Sequence, residues 1–204
     1  MSVSEEYGRR LAAREAAVAR LTKAHERIGN LRLTLGVVAL AVAWAVLFER
    51  AFAPVWLLVP VGAFVALVLY HSFVRRKRVN AQRAVDYYRH GIARLEDRWP
   101  GLGQRGERFG ATDHIYAADL DLFGEGSLFE LLSVARTRMG EDTLARWLLA
   151  PAPLATIQER HASVADLRER LDLREEMAVL GEDTGVGLKP NYLLTWTETT
   201  NQLS

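Results

Sequence analysis

The sequence contains no cysteine. That excludes disulfide frameworks, thiolate nucleophiles and every Cys-based zinc or iron–sulfur site. It also lacks G-x-x-x-x-G-K-[ST], H-E-x-x-H and G-x-S-x-G, so P-loop, zincin and nucleophile-elbow chemistries have no motif to rest on. A surplus of charge is missing as well, with a formal net charge of +1 over 204 residues. That average hides two opposed halves. Residues 1–110 carry 18 Lys/Arg against 9 Asp/Glu, and residues 111–204 carry 8 against 16. A basic half is joined to an acidic half, and each is read separately.

The basic half holds two runs almost free of charge. Leu31 to Phe48 has only Arg32 near its start, and Ala51 to Val74 has none, with His71 and Ser72 as polar interruptions. Each is long enough to cross a hydrocarbon core of about 30 Å at ~1.5 Å per residue. Neither shows the polar face of a soluble core helix. A charged stretch of about 30 residues precedes the first run, which argues against a cleaved signal peptide. Only Glu49 to Pro54 separates the runs, so they form a tight antiparallel hairpin. Arg20, Lys23, Arg27 and Arg32 precede it, Arg75, Arg76, Lys77 and Arg78 follow it, and the connection offers only Arg50. The bias places both termini in the cytoplasm, in a multi-pass protein of the plasma (inner) membrane. Trp44, Trp56 and Tyr70 fall near the expected interfaces, and Pro60 inside the second run is tolerable beside a neighbouring helix. The basic cluster at 75–78 reads first as a topology signal and second as an anionic-lipid site.

Both helices continue beyond the apolar runs. Tyr7, Leu11, Val18, Leu21 and Ile28 follow a 4-3 repeat, with Arg14 and His25 in the two defective positions. Val85, Tyr88, Ile92, Leu95 and Trp99 follow a 3-4 repeat. Such spacing makes an apolar seam on each helix, for a two-stranded antiparallel coil or for self-association. With the turn centred on residue 52, the intramolecular coil would set Tyr7 near Trp99 and Ile28 near the 75–78 cluster. Pro100-Gly101 is expected to stop the second arm.

Residues 100–112, PGLGQRGERFGAT, read as a flexible joint. Gly101, Gly103 and Gly106 match G-x-G-x-x-G, but the dinucleotide-binding mechanism needs that pattern to follow a strand and open a helix. Here it follows a helix, so the match is set aside. Asp113, His114, Asp119 and Asp121 are the only cluster resembling metal ligands. Asp119-Leu-Asp-Leu122 alternates like a short half-exposed strand, with both aspartates solvated. No catalytic, cofactor-binding or metal residue is assigned.

The acidic half is a series of short amphipathic helices. Ser127-Leu-Phe-Glu130 is a capping box leading into an apolar face of Leu128, Leu131, Leu132 and Ala135. Gly140 interrupts, and a second helix carries Leu144, Trp147 and Leu148 as far as Pro151. Leu154, Ile157, His161, Val164, Leu167 and Leu171 mark a third. Asp172-Leu-Arg-Glu175 caps a fourth, with Leu173, Met177 and Leu180 as its buried side.

From Asp119 the segment runs DLDLFGEGSLFELLSVARTRMGEDTLARWLLAPAPLATIQERHASVADL. It resembles the start of the core, or lever, region of MutS-type DNA mismatch-repair proteins. There a short strand leads into a helix, then T-x-M-G, L-x-R-W-L, a proline and an I-x-x-R helix. Ser127, Thr137, Met139, Gly140, Arg146, Trp147, Pro151, Ile157 and Arg160 supply those positions in order, and the match covers roughly 113–182. With the hairpin before it, the chain resembles a membrane-anchored MutS-like subgroup. The resemblance implies mismatched-DNA and ATP binding, with ATP and Mg as cofactors, for full-length members only. Nothing here resembles the mismatch-reading domain, the DNA clamp or the ATPase, so no cofactor is expected in this chain. DNA would be reached only through the missing C-terminal domains of a longer protein. The transferred positions are structural, and Met139 and Trp147 are expected in the core. An acidic unit on its own would repel phosphates.

The reading is therefore all-α: a transmembrane hairpin with coiled-coil-like cytoplasmic extensions, then a small MutS-like helical unit. Its parts are an amphipathic cytoplasmic helix (1–30), the hairpin (31–74), a cytoplasmic helix (75–99), the Gly-rich linker (100–112), lever helices (113–183) and an atypical tail (184–204). The tail holds 5 of the 11 Thr and none of the 23 Arg, and the amphipathic pattern fades there. This suggests a truncated or frame-shifted, non-catalytic fragment. The expected partners are the lipid bilayer and a second copy in a homodimer. The alternative is a membrane-anchored helical adaptor or scaffold that binds protein partners.

Overall fold

The computed structural model describes residues 2–47, 58–110 and 114–185. Trp56, Asp113, the connection at 49–54 and nearly all of the 184–204 tail lie outside them. The described residues are helical: α1 (Val3–Leu47), α2 (Leu58–Leu95), a 3₁₀ turn (Glu107–Phe109), α3 (Leu128–Leu132), α4 (Arg138–Leu149), α5 (Leu154–Glu169) and α6 (Leu171–Gly185). The chain divides into two compact units, one of residues 9–85 and one of residues 1–8 with 86–204. The boundary cuts both long helices.

In the first unit, α1 and α2 are long and apolar enough to cross a membrane. Only 6% and 11% of their most apolar windows is buried, whereas a soluble core helix would be mostly covered. Leu33, Leu40, Trp44, Leu58, Leu69 and Phe73 all stand exposed. Polar groups inside the runs are satisfied locally. Thr34 Oγ1 donates to the Asn30 carbonyl at 3.1 Å and Ser72 Oγ to the Val68 carbonyl at 3.1 Å. The Arg32 guanidinium lies 5.6 Å from the Phe64 ring centroid. His25 and His71 face each other with ring centroids 4.6 Å apart. These contacts make the two helices an antiparallel pair. The residue numbers 25 and 71, and 32 and 64, both sum to 96, so the pairing is centred on residue 48 rather than 52. The seam is present: Leu11, Val18, Leu21 and His25 are partly covered and Ile28 is buried, while Arg14 is exposed.

The second unit shows the same correction of register. Tyr7 packs edge-on against Tyr88, centroids 5.5 Å apart, and against Gly91, where an added Cβ would meet the Tyr7 ring at 2.5 Å. The partner is thus Tyr88, not Trp99. At the start of α1, Glu5 N–H donates to Ser2 Oγ at 3.2 Å and Ser2 N–H to Glu5 Oε2 at 2.7 Å, a reciprocal capping box. At the other end α2 stops before Pro100. Asp97 adopts φ 57, Arg98 N–H reaches the Ala93 carbonyl at 2.8 Å and Asp97 N–H the Arg94 carbonyl at 3.3 Å. That is a Schellman motif with aspartate at the left-handed position.

The glycine-rich segment is fastened rather than loose. Gly124 N–H bonds the Arg105 carbonyl at 2.8 Å, and Phe109 stacks with Phe123 and Phe129, all three centroid pairs lying 5.5–5.6 Å apart. Phe129 is fully buried there. It replaces the expected apolar face, since α3 is only one turn long and Leu128 and Leu132 are exposed. No strand forms among the described residues. Asp121 has φ 45, which breaks the extended alternation, although Asp119 and Asp121 are exposed as expected. His114 Nε2 and Tyr116 Oη instead approach the Leu149 carbonyl at 2.8 and 2.9 Å, closing the end of α4.

Helix α6 presents a different face from the one its leucines suggest. Glu175 and Val179 are buried, while Leu173, Met177 and Leu180 are exposed. Asp172 lies inside the first turn rather than at the cap. Tyr88 Oη donates to Glu175 Oε2 at 2.5 Å, and this buried bond turns the helix.

Candidate functional site

The second unit contains a half-open cavity of about 710 Å³. Its walls are Tyr7, the Tyr87–Arg94 stretch of α2, residues 134–137, and the facing sides of α5 and α6. Two features of the chain shape it. Gly91 lets Tyr7 lie against α2, and Arg170, the C-cap of α5 with φ −98 and ψ 60, breaks the helix between α5 and α6. The volume is that of a small-molecule site.

Four arginines line this cavity: Arg94, Arg136, Arg168 and Arg174. Arg94 Nη2 donates to the Ser133 carbonyl at 2.8 Å, and Arg174 Nη2 to Tyr7 Oη at 3.2 Å. Arg136 Nη1 pairs with Glu182 Oε1 at 3.1 Å, while its buried Nε has no hydrogen-bond partner among the described residues. Among the described residues nothing bonds the Arg168 guanidinium. Burial depresses the affinity of Arg94 for its proton, and the neighbouring Arg136 charge adds to this, although a guanidinium stays charged. Burial raises Tyr87, against the opposing pull of Arg174, and so keeps its phenol protonated. The rest of the lining is mainly apolar, with Val134, Val164, Leu167 and Met177.

The family-motif residues lie around this unit in structural roles. Ser127 caps α3 by accepting from Glu130 N–H at 3.2 Å, and Thr137 caps α4 by accepting from Gly140 N–H at 3.2 Å. Gly140 therefore belongs to the first turn of α4 and does not interrupt a helix. Arg146 Nη2 donates to Thr143 Oγ1 at 3.0 Å. Arg160 stacks over the Trp147 ring at 4.0 Å. Trp147 is half exposed and Met139 is 74% exposed, so neither is a core residue in this unit. Pro151 follows the last turn of α4. Arg75, Arg76, Lys77 and Arg78 are exposed on α2 immediately after the apolar run.

Glu130 differs from the expected capping box. Its carboxylate accepts from Gly126 N–H at 2.8 Å and from Gly103 N–H at 2.9 Å, rather than from Ser127 N–H. Burial alone would raise its pKa. The backbone donors Gly103, Gly126 and Gly101, with Arg105 nearby, outweigh it and hold the carboxyl below its ordinary value. Gly101 and Gly103 of the G-x-G-x-x-G match thus do face an anion, and it is internal.

The arginine cavity has no signature in the sequence, because Arg94, Arg136, Arg168 and Arg174 share no sequence spacing. The reciprocal cap at the start of α1 was legible in Ser2-x-x-Glu5. Among the described residues no group of three His, Asp or Glu converges as metal ligands. Comparison with family models, with curated proteins and with solved structures finds no match.

Proposed function

We propose that this chain is a membrane-anchored helical protein related to the MutS family, supplying an anchor and the first lever helices of a DNA-binding ATPase. The observation that carries the reading is the two exposed apolar helices, paired antiparallel and followed by the 75–78 basic cluster. By the Lys/Arg bias the protein is multi-pass in the inner membrane, with both termini cytoplasmic. Helix starts at Ser127 and Thr137 support the lever resemblance, because these are the positions at which the family pattern turns from loop to helix. In this reading ATP, Mg and mismatched DNA belong to further domains of a longer protein, and a homodimer is its working form. The test compares the product of the complete locus with this chain, both in membranes. ATP-dependent DNA binding by the longer product supports the proposal; a locus with no downstream ATPase frame overturns it.

A second reading, a membrane adaptor for protein partners, is favoured by one specific observation. Leu154, Ile157 and Val164 on α5, with Met177 and Leu180 on α6, are uncovered apolar side chains. Specific capture of a partner by this chain alone, lost on replacing Leu154 and Val164 with Ser, would favour it.

A further inference from the structure

The structure assigns the four-arginine cavity as a binding site for a phosphate monoester carried on an apolar or aromatic body. Three observations combine. Among the described residues the lining contains Arg94, Arg136, Arg168 and Arg174 and no Asp or Glu. Glu182 Oε1 pairs with Arg136 Nη1, and the buried Arg136 Nε has no hydrogen-bond partner among the described residues. Each guanidinium carries five N–H donors in a planar fork, and the Ser133, Tyr7 and Glu182 contacts occupy only some of them. A phosphate offers three oxygens and close to two negative charges near neutral pH, so it matches several forks where a carboxylate matches one or two. Burial and the like charge of Arg136 both weigh on Arg94, a repulsion that a bound dianion would relieve.

The remaining wall selects the body of the ligand. Leu167, Met177 and the tyrosine rings form an apolar flank beside the guanidinium groups. The phenols of Tyr7 and Tyr87 border the Arg174 fork, so ring stacking and phosphate binding are available on the same side. Volume also favours an organic ester over a bare ion, since about 710 Å³ far exceeds what phosphate fills. This site does not depend on the MutS relationship.

A lipid headgroup and a free aromatic phosphate share this chemistry, and the experiment separates them. The full chain in neutral-lipid nanodiscs is titrated calorimetrically with phenyl phosphate, inorganic phosphate and benzoate. Saturable binding of phenyl phosphate is expected, with the other two weaker by about tenfold or more. Arg136→Gln and Arg168→Gln should each weaken it by roughly tenfold, since each removes charge-assisted bonds. Glu182→Gln frees a fork and should leave binding unchanged or tighter, whereas a merely structural Arg136–Glu182 pair would make both substitutions equally damaging. Helicity and melting of each variant identify any that fail to fold. Nanodiscs containing phosphatidic acid complete the set: competition with phenyl phosphate identifies the lipid as a source, and its absence a soluble ester. No saturable binding by the folded wild-type chain, or binding indifferent to both arginine substitutions, overturns the assignment.

Discussion

Gly103 donates its backbone N–H to Oε1 of Glu130 at 2.9 Å, across 27 residues of chain. An alanine Cβ at position 103 would stand 3.0 Å from Glu130 Cγ, so this approach suits glycine. Gly126 serves the other carboxylate oxygen at 2.8 Å, and the carboxylate is buried. One side chain therefore ties the glycine-rich segment to the start of α3. Glu130→Gln should cost about 1–3 kcal/mol, because an amide group turns donors toward backbone N–H groups that need acceptors.

The same carboxylate predicts a pH dependence. Its folded pKa lies below the ordinary value of 4.5, so ionised Glu130 favours the folded state. That contribution is complete above the unfolded value and disappears as pH falls through the lower folded value. Thermal melts from pH 7 down to pH 3 should show a loss of stability that is smaller in Glu130→Gln. Equal acid sensitivity in both proteins would refute the assignment.

Gly106 should resist substitution for two reasons. It adopts φ +66, and an added Cβ would meet Phe129 at 2.7 Å and Phe123 at 3.0 Å. Left-handed strain of about 1–2 kcal/mol adds to overpacking of about 1–3 kcal/mol in Gly106→Ala. Urea denaturation measures the sum, and a change under about 0.5 kcal/mol would contradict the packing described.

The absence of cysteine makes the helix register directly testable. His25→Cys with His71→Cys should cross-link with a short bis-methanethiosulfonate reagent, because the native side chains face each other with rings 4.6 Å apart. His25→Cys with Arg78→Cys should not, since seven residues of helix displace the partner by about 10 Å. Cross-linking of the second pair alone would restore the register centred on residue 52.

Topology follows from charge and is checked separately. A single cysteine at Ser4 or at Gln82 should react with a membrane-impermeant maleimide only after cells are disrupted. Labelling of either site in intact cells would place that terminus outside.

Much of this architecture is legible along the chain. The apolar runs, the α1 seam, the cap at Ser127 and the end of α4 before Pro151 arise from nearest-neighbour patterns, which periodicity reads well. The length of α2 is not legible, because its stop is made by Asp97, a non-glycine residue in a left-handed conformation, before the more visible Pro100-Gly101. The buried face of α6 is not legible either, because an acid, Glu175, is held inside by Tyr88 from 87 residues away. Hydrophobicity alone would have pointed Leu173 and Met177 inward.

Sequence by itself determined the helical class, the uncharged length needed to span a bilayer and the exclusion of thiol chemistry. These depend on composition and local spacing, which need no folded context. Tertiary structure decided which polar groups meet. It brought Arg94, Arg136, Arg168 and Arg174 around one cavity, and turned the glycine pattern toward Glu130 instead of an external phosphate. The physical reason is the cost of burying polar groups without partners: satisfying Glu130 and Glu175 sets which segments come together, and that choice is made between residues far apart in the chain.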